Sequence, residues 1–232
     1  HVDSQRGMLS VGKYISGLSI GEIKALRRIL HAHRGMIREE IKSFIRRKES
    51  NREALLEEFE GAIKGYYSVL VIRVDLSYSK DGMSDITVYD FYQHINRLRA
   101  VITDKNGCFD ALVTYAIALE QGITKGFHAH LALVINRSEH QSDYKIAKGV
   151  IEKWNEITLG KGTGWNINAT ENKENYEKQG RLGIGDIRRT IPEQGNNALG
   201  AVAYLSDPDK YEQTLLVKPR GRKTFYKGDY QH

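Results

Sequence analysis

Two long strand-forming runs, residues 110–120 and 127–135, are separated only by the short link Gln121 to Gly126. So short a link closes an antiparallel hairpin, because a parallel crossover needs about a dozen residues or more. The sheet is therefore at least partly antiparallel. Around this hairpin, residues 67–78 are rich in β-branched and aromatic types and read as a further strand. Val88, Phe91, Ile95, Leu98 and Ile102 recur at helical spacing. Ser142 is placed to cap a helix carrying Ile146, Val150, Trp154 and Ile157. Trp165 to Ala169 is a short strand candidate, and Arg181 to Ile187 an edge strand inside the polar, Gly-rich stretch 171–195. Asn196 or Asn197 opens an apolar helix, Ala198 to Leu205, stopped by Pro208. The expected class is α+β, with an antiparallel sheet of about five strands flanked by helices.

Helices also open the chain. Ser19-Ile20-Gly21-Glu22 reads as a capping box, followed by Ile23, Leu26, Leu30, Ile37 and Ile41 on one stripe with a break expected at Gly35. A second box, Ser50-Asn51-Arg52-Glu53, precedes Leu55, Leu56, Phe59 and Ile63, and Gly65 ends the run. Residues 1–65 thus form a helical N-terminal segment, and residues 66–232 the main domain with a basic, irregular C-terminal tail.

Charge is unevenly placed. Residues 1–65 hold 13 basic and 9 acidic side chains and residues 210–232 hold 6 and 2, so both ends are basic while the middle is near neutral. That distribution fits a polyanionic partner such as nucleic acid, or simply a soluble basic protein. With 40% apolar and 28% charged residues the chain matches neither a membrane protein nor a disordered one. No run approaches the roughly 18 apolar residues of a membrane span. The lone Cys108 excludes an internal disulfide framework and a cysteine-rich zinc site. No signal-peptide pattern opens the sequence, which begins on His1 as a fragment or processed chain would, and a cytoplasmic location is expected.

The chemistry centres on His128-Ala129-His130. Strand side chains alternate, so the two imidazoles share one face while Phe127, Ala129, Leu131 and Leu133 serve the core. A hairpin centred on Thr124 sets Glu120 opposite His128, on the same side of the sheet. Two neutral imidazoles and one carboxylate, with open positions, suit a divalent ion such as Mg or Mn that must also hold substrate oxygens. Hydrogen-bonded core histidines are the alternative. His31-Ala32-His33 has the same letters but lies in a helical pattern, where residues two apart diverge, so it should not chelate. Tyr204 is the one phenol in an otherwise apolar helix. A tyrosine hydroxyl can attack a phosphodiester, although its ordinary pKa of about 10 makes it a poor nucleophile unaided. The alternative is a packing tyrosine with its hydroxyl at the rim.

The strand Val69 to Leu76, the His128-Ala129-His130 pair and Ala203-Tyr204-Leu205 occur in the order of the three motifs of HUH endonucleases, the rolling-circle replication initiators. Arg73 to Leu76, Gly126 to His130 and Arg222 to Phe225 most resemble replication proteins of filamentous phages and prophages. The resemblance covers roughly residues 66–228. It implies a ferredoxin-like or palm-like core with the metal on the open face of the sheet. It also implies Glu120, His128 and His130 as ligands of Mg or Mn, and Tyr204 as a nucleophile forming a 5′-phosphotyrosine. Single-stranded or hairpin DNA is the implied substrate, nicked and rejoined in the cytoplasm of a bacterial host, with host polymerase and helicase as partners. Arg220, Arg222, Lys223 and Lys227 would contact phosphates, and Phe225 or Tyr226 would stack on bases. Two departures stand out. Many members carry Lys three positions after the tyrosine, where this chain has Asp207, leaving Lys210 as a substitute. Two-tyrosine members carry a second Tyr four positions before, where this chain has Gly200; Tyr211 is the nearest other candidate. Arg73 and Asp75 share a strand face and pair readily with each other, so they stand outside the catalytic set. A DNA-binding regulator without nicking activity, or a nuclease that uses water, are the competing readings.

Overall fold

The computed structural model describes residues 17–122, 125–207, 215 and 218–230. Two helices come first, α1 (Ile20–Ala32) and α2 (Arg34–Gly65), followed by β1 (Ser68–Tyr78) and the single turn α3 (Lys80–Met83). Then follow α4 (Val88–Thr103), β2 (Leu112–Gly122), β3 (Gly126–Asn136) and α5 (Asp143–Ile157). The chain ends with β4 (Gly162–Asn166), α6 (Thr170–Lys178), β5 (Gly185–Arg188), α7 (Pro192–Ala203) and β6 (Phe225–Lys227). The fold is α+β, a six-stranded antiparallel sheet flanked by helices.

β3 is central, paired with β2 on one side and β1 on the other. Its hairpin with β2 runs to Gly122↔Gly126, the register that places Glu120 opposite His128. Gly126 sits at φ +60°, a backbone region glycine enters without a steric penalty. β4 and β5 lie end to end along the far edge of β1, pairing with Val74–Tyr78 and Ser68–Val71 respectively. β6 borders β2.

Alternation along the strands builds two layers of core. Leu70, Ile72, Val74 and Leu76 of β1 and Leu131, Leu133 and Ile135 of β3 face α4 and α5, whose Phe91, Ile95, Leu98 and Trp154 are fully buried. On the opposite face, Val69, Val71, Ala116, Ala118, Ala132 and Val134 meet Leu55, Phe59 and Ala62 of α2 and Ala198 and Val202 of α7. The three alanines keep that face low, so both helices can approach the sheet. Each fully buried large apolar side chain contributes about 1.5–3 kcal/mol.

Several elements differ from the sequence reading, each for a local reason. The break between the first helices falls at His33, not Gly35, where the imidazole Nδ1 lies 2.8 Å from the Ile29 carbonyl oxygen. No new helix starts at Ser50. The residues before it are already helical, so the backbone donors a capping box would serve already have partners within α2. The second half of α2 belongs to the sheet's core, so the expected boundary at residue 65 crosses one packed unit. α7 begins at Pro192, whose fixed φ suits a first helical position, rather than at Asn196. β4 starts at Gly162, three residues before the expected Trp165. A side chain at Gly164 would meet Ile151 and the Asp75 carbonyl oxygen, so that strand is glycine-rich by necessity. α6 buries no residue and offers no apolar stripe to read. The tail, expected irregular, contributes β6. Among the described residues no helix is long and apolar enough to cross a membrane.

Candidate metal centre beside a tyrosine

Along β3, the residues facing α2 and α7 are Val134, Ala132, His130 and His128 in turn. The helices cover the first two, and where α7 gives way to a 3-10 turn at Tyr204–Ser206 the strip becomes polar. The pairing β2–β3–β1 then sets Glu120 beside His128 and Asp75 beside His130. Glu120, His128 and His130 offer ligand atoms that all lie within 4.8 Å of one another. His130 Nε2 is 3.0 Å and His128 Nε2 3.4 Å from Glu120 Oε2. All three residues are at most 4% exposed, so the cluster sits beneath the surface instead of on an open sheet face as the resemblance implied.

The other ring nitrogens define what this cluster needs. His128 Nδ1 lies 3.0 Å from the Gly126 carbonyl oxygen, which only accepts, so Nδ1 carries the proton. In the neutral form this leaves the ring's lone pair at Nε2, 3.4 Å from the Glu120 carboxylate. His130 Nδ1 donates to Asp75 Oδ1 at 2.6 Å, and its Nε2 likewise faces Glu120. Electron-rich atoms converging below the surface require positive charge between them, either a proton or a cation. Burial works against a charged His130, but its hydrogen bonds to Asp75 and Glu120 prevail and raise its pKa above the ordinary histidine value. Burial likewise opposes the Asp75 charge, yet the His130 bond and the nearby Arg73 hold its carboxyl below the usual range. Metal-binding histidines characteristically hand their second N–H to a carbonyl or carboxylate, the arrangement found at both rings. The donor set of two imidazoles and one carboxylate thus fits a divalent cation with open coordination positions.

Tyr204 reaches this cluster from the end of α7. Its ring stands edge-on to His130, centroids 5.6 Å apart, and the residue is 42% exposed. Burial and the charges of Glu120 and Asp75 push its phenol above the ordinary value, while Arg73 and Lys125 pull it down. The Arg73 guanidinium lies over the Tyr204 ring at 5.0 Å, and its buried Nε has no hydrogen-bond partner. Arg73, Asp75 and Tyr204 together line a cavity of about 540 Å³. Both β1 residues therefore belong to the site, which the sequence reading missed. The signal lies in the register Asp75↔His130, a non-local pairing. Asn168 steadies this stretch of β1 in the gap between β4 and β5. Its side-chain oxygen accepts from the Arg73 N–H and its amide donates to the Val71 carbonyl, as a strand neighbour would.

The tail residues divide. Arg220, Arg222 and Lys223 are exposed, Arg220 in a turn whose Gly221 adopts φ +76°. Lys227 is bound to the buried Glu58 at 2.9 Å and Phe225 packs against the α2/α7 face, while both also line a groove between α2 and the tail. Tyr226 lies under the Arg99 guanidinium. Lys210 and Tyr211 lie outside the described residues. His31 and His33 sit at the junction of α1 and α2 and take no part in the site. No protein-family model, curated protein or solved structure matches the chain.

Proposed function

We propose that the chain nicks and rejoins single-stranded DNA, with Tyr204 as nucleophile beside a divalent metal held by Glu120, His128 and His130. One observation carries this reading: a half-exposed phenol packed edge-on against an imidazole whose Nε2 belongs to the converging donor set. Mg or Mn, when bound, supplies positive charge beside the scissile phosphate. The protein's own groups do the rest. Asp75 and the Gly126 carbonyl fix both imidazoles in the ligating tautomer. Arg73, with an orphaned donor beside the Tyr204 ring, provides the cation that Lys would provide at position 207. Tyr204 Oη attacks phosphorus and gives up its proton at the exposed rim. The bond to the 3′ oxygen breaks and that oxygen takes up a proton from water at the same rim, leaving a 5′-phosphotyrosine and a 3′-hydroxyl. Reversal by another 3′-hydroxyl rejoins the strand without an external energy source. Such a product also primes a polymerase, the use expected in rolling-circle replication of a phage or mobile element.

Incubation with labelled single-stranded origin DNA and Mn should give a covalent protein–DNA band on a denaturing gel. Tyr204→Phe should abolish the band while binding persists. Equal nicking by that variant would remove Tyr204 from the chemistry. Asp207 favours the second reading, a DNA-binding regulator, which predicts no adduct and binding indifferent to EDTA.

A further inference from the structure

The basic residues left over by this site are not scattered. A groove of about 700 Å³ separates the middle of α2 from the C-terminal segment. Arg46, Arg47 and Lys48 line it from α2, Arg99 from α4, and Arg222 and Lys223 from the tail, while no carboxylate lines it. At its side the Arg99 guanidinium covers the Tyr226 ring at 4.0 Å, and the buried Arg99 Nε has no hydrogen-bond partner. Apart from Arg73 Nε, beside Tyr204, it is the only buried side-chain nitrogen or oxygen so placed among the described residues. Both walls lead to the candidate site. On one, Ser206 Oγ donates to the Lys48 carbonyl oxygen at 3.2 Å, two residues beyond Tyr204. On the other, the Leu119 N–H donates to the Thr224 carbonyl oxygen at 2.8 Å, next to Glu120.

We propose that this groove binds the sugar–phosphate backbone of single-stranded DNA and holds the strand flanking the phosphate presented to Tyr204. Concentrated cations without carboxylates match a polyanion, and half-buried Phe44 and Tyr226 supply flat surfaces beside it. The helical N-terminal segment is then half of the DNA-binding surface. The choice of DNA rests on the function proposed above; the groove itself does not.

The test uses fluorescein-labelled dT20 and fluorescence anisotropy, in EDTA so that metal-dependent chemistry is off. Arg46→Glu with Arg47→Glu, and separately Arg222→Glu with Lys223→Glu, should each weaken binding at least tenfold at moderate salt. Each should also flatten the slope of log K against log salt by about 0.7 for every phosphate no longer neutralised. The neutral pair Arg46→Gln with Arg47→Gln, with an unchanged thermal melt, should shift both in the same direction and covers the case where charge reversal disturbs folding. Wild-type affinity and slope in the double variants overturn the groove, even if the wild type forms a covalent adduct. Loss of dT20 binding in the variants, with no adduct from the wild type in Mn, upholds the groove and removes the nicking function. Tighter binding of a 20-base-pair duplex, equally lost in the variants, overturns the assignment to a single strand.

Discussion

The two nitrogens of each site imidazole have different duties, and the partner of Nδ1 decides what Nε2 can do. His130 Nδ1 is held by Asp75. Asp75→Asn removes that carboxylate's charge without touching a ligand, so Mn affinity should fall about 10–100-fold, measured by calorimetric titration. His130→Ala should lose more, because a donor goes. An unchanged Mn affinity in Asp75→Asn would show that the imidazole holds its tautomer unaided. How far these residues are legible in sequence follows from distance along the chain. Glu120 and His128 are joined by one tight hairpin, and the two-residue period of a strand leaves their shared face no freedom. Asp75 meets His130 only once β1 docks on β3, and no local pattern announces that register.

Among the elements, legibility tracks whether a segment carries its own periodic signal. α4 and α5 are readable from apolar spacing alone, whereas α6 buries nothing and β6 is three residues long. α4 also shows how an end is fastened. Thr87 Oγ1 accepts from the Asp90 N–H and Asp90 Oδ2 accepts from the Thr87 N–H, a reciprocal cap. Burial opposes the Asp90 charge, but the bonds from Thr87 outweigh it and hold its carboxyl below the ordinary value. A depressed folded pKa stabilises above the ordinary aspartate range and loses that contribution as pH falls through the folded value. Asp90→Asn should therefore lower Tm by about 2–4 °C at neutral pH. Its melting curve should converge on that of the wild type in strong acid. A gap of the same size at every pH would assign the effect to something other than the carboxylate charge.

For the whole molecule, α2 joins what the sequence divided. Its Leu55, Phe59, Ala62 and Ile63 are buried against the sheet, and Glu58 draws in Thr114 of β2, Lys227 of β6 and the Tyr230 N–H. Leu26→Ser with Leu30→Ser in α1 should leave the thermal melt nearly unchanged, since α1 buries nothing. Deleting residues 1–65 removes the core side chains Leu55, Phe59, Ala62 and Ile63, the three larger ones at about 1.5–3 kcal/mol each, from a fold whose net stability is typically about 5–15 kcal/mol. That shorter chain should fail to give a cooperative transition, and a sharp melt from it would show that the sheet stands without α2. A final consequence concerns the order in which the parts are synthesised. Glu120, His128 and His130 are all in place by residue 130, whereas the phenol arrives 74 residues later, in the turn that follows α7. On the proposed mechanism, a nascent chain on the ribosome therefore holds the groups that would bind the cation long before it holds the nucleophile. If the chain nicks DNA as proposed, a translation product cut short before Tyr204 would be left without the means to sever a strand.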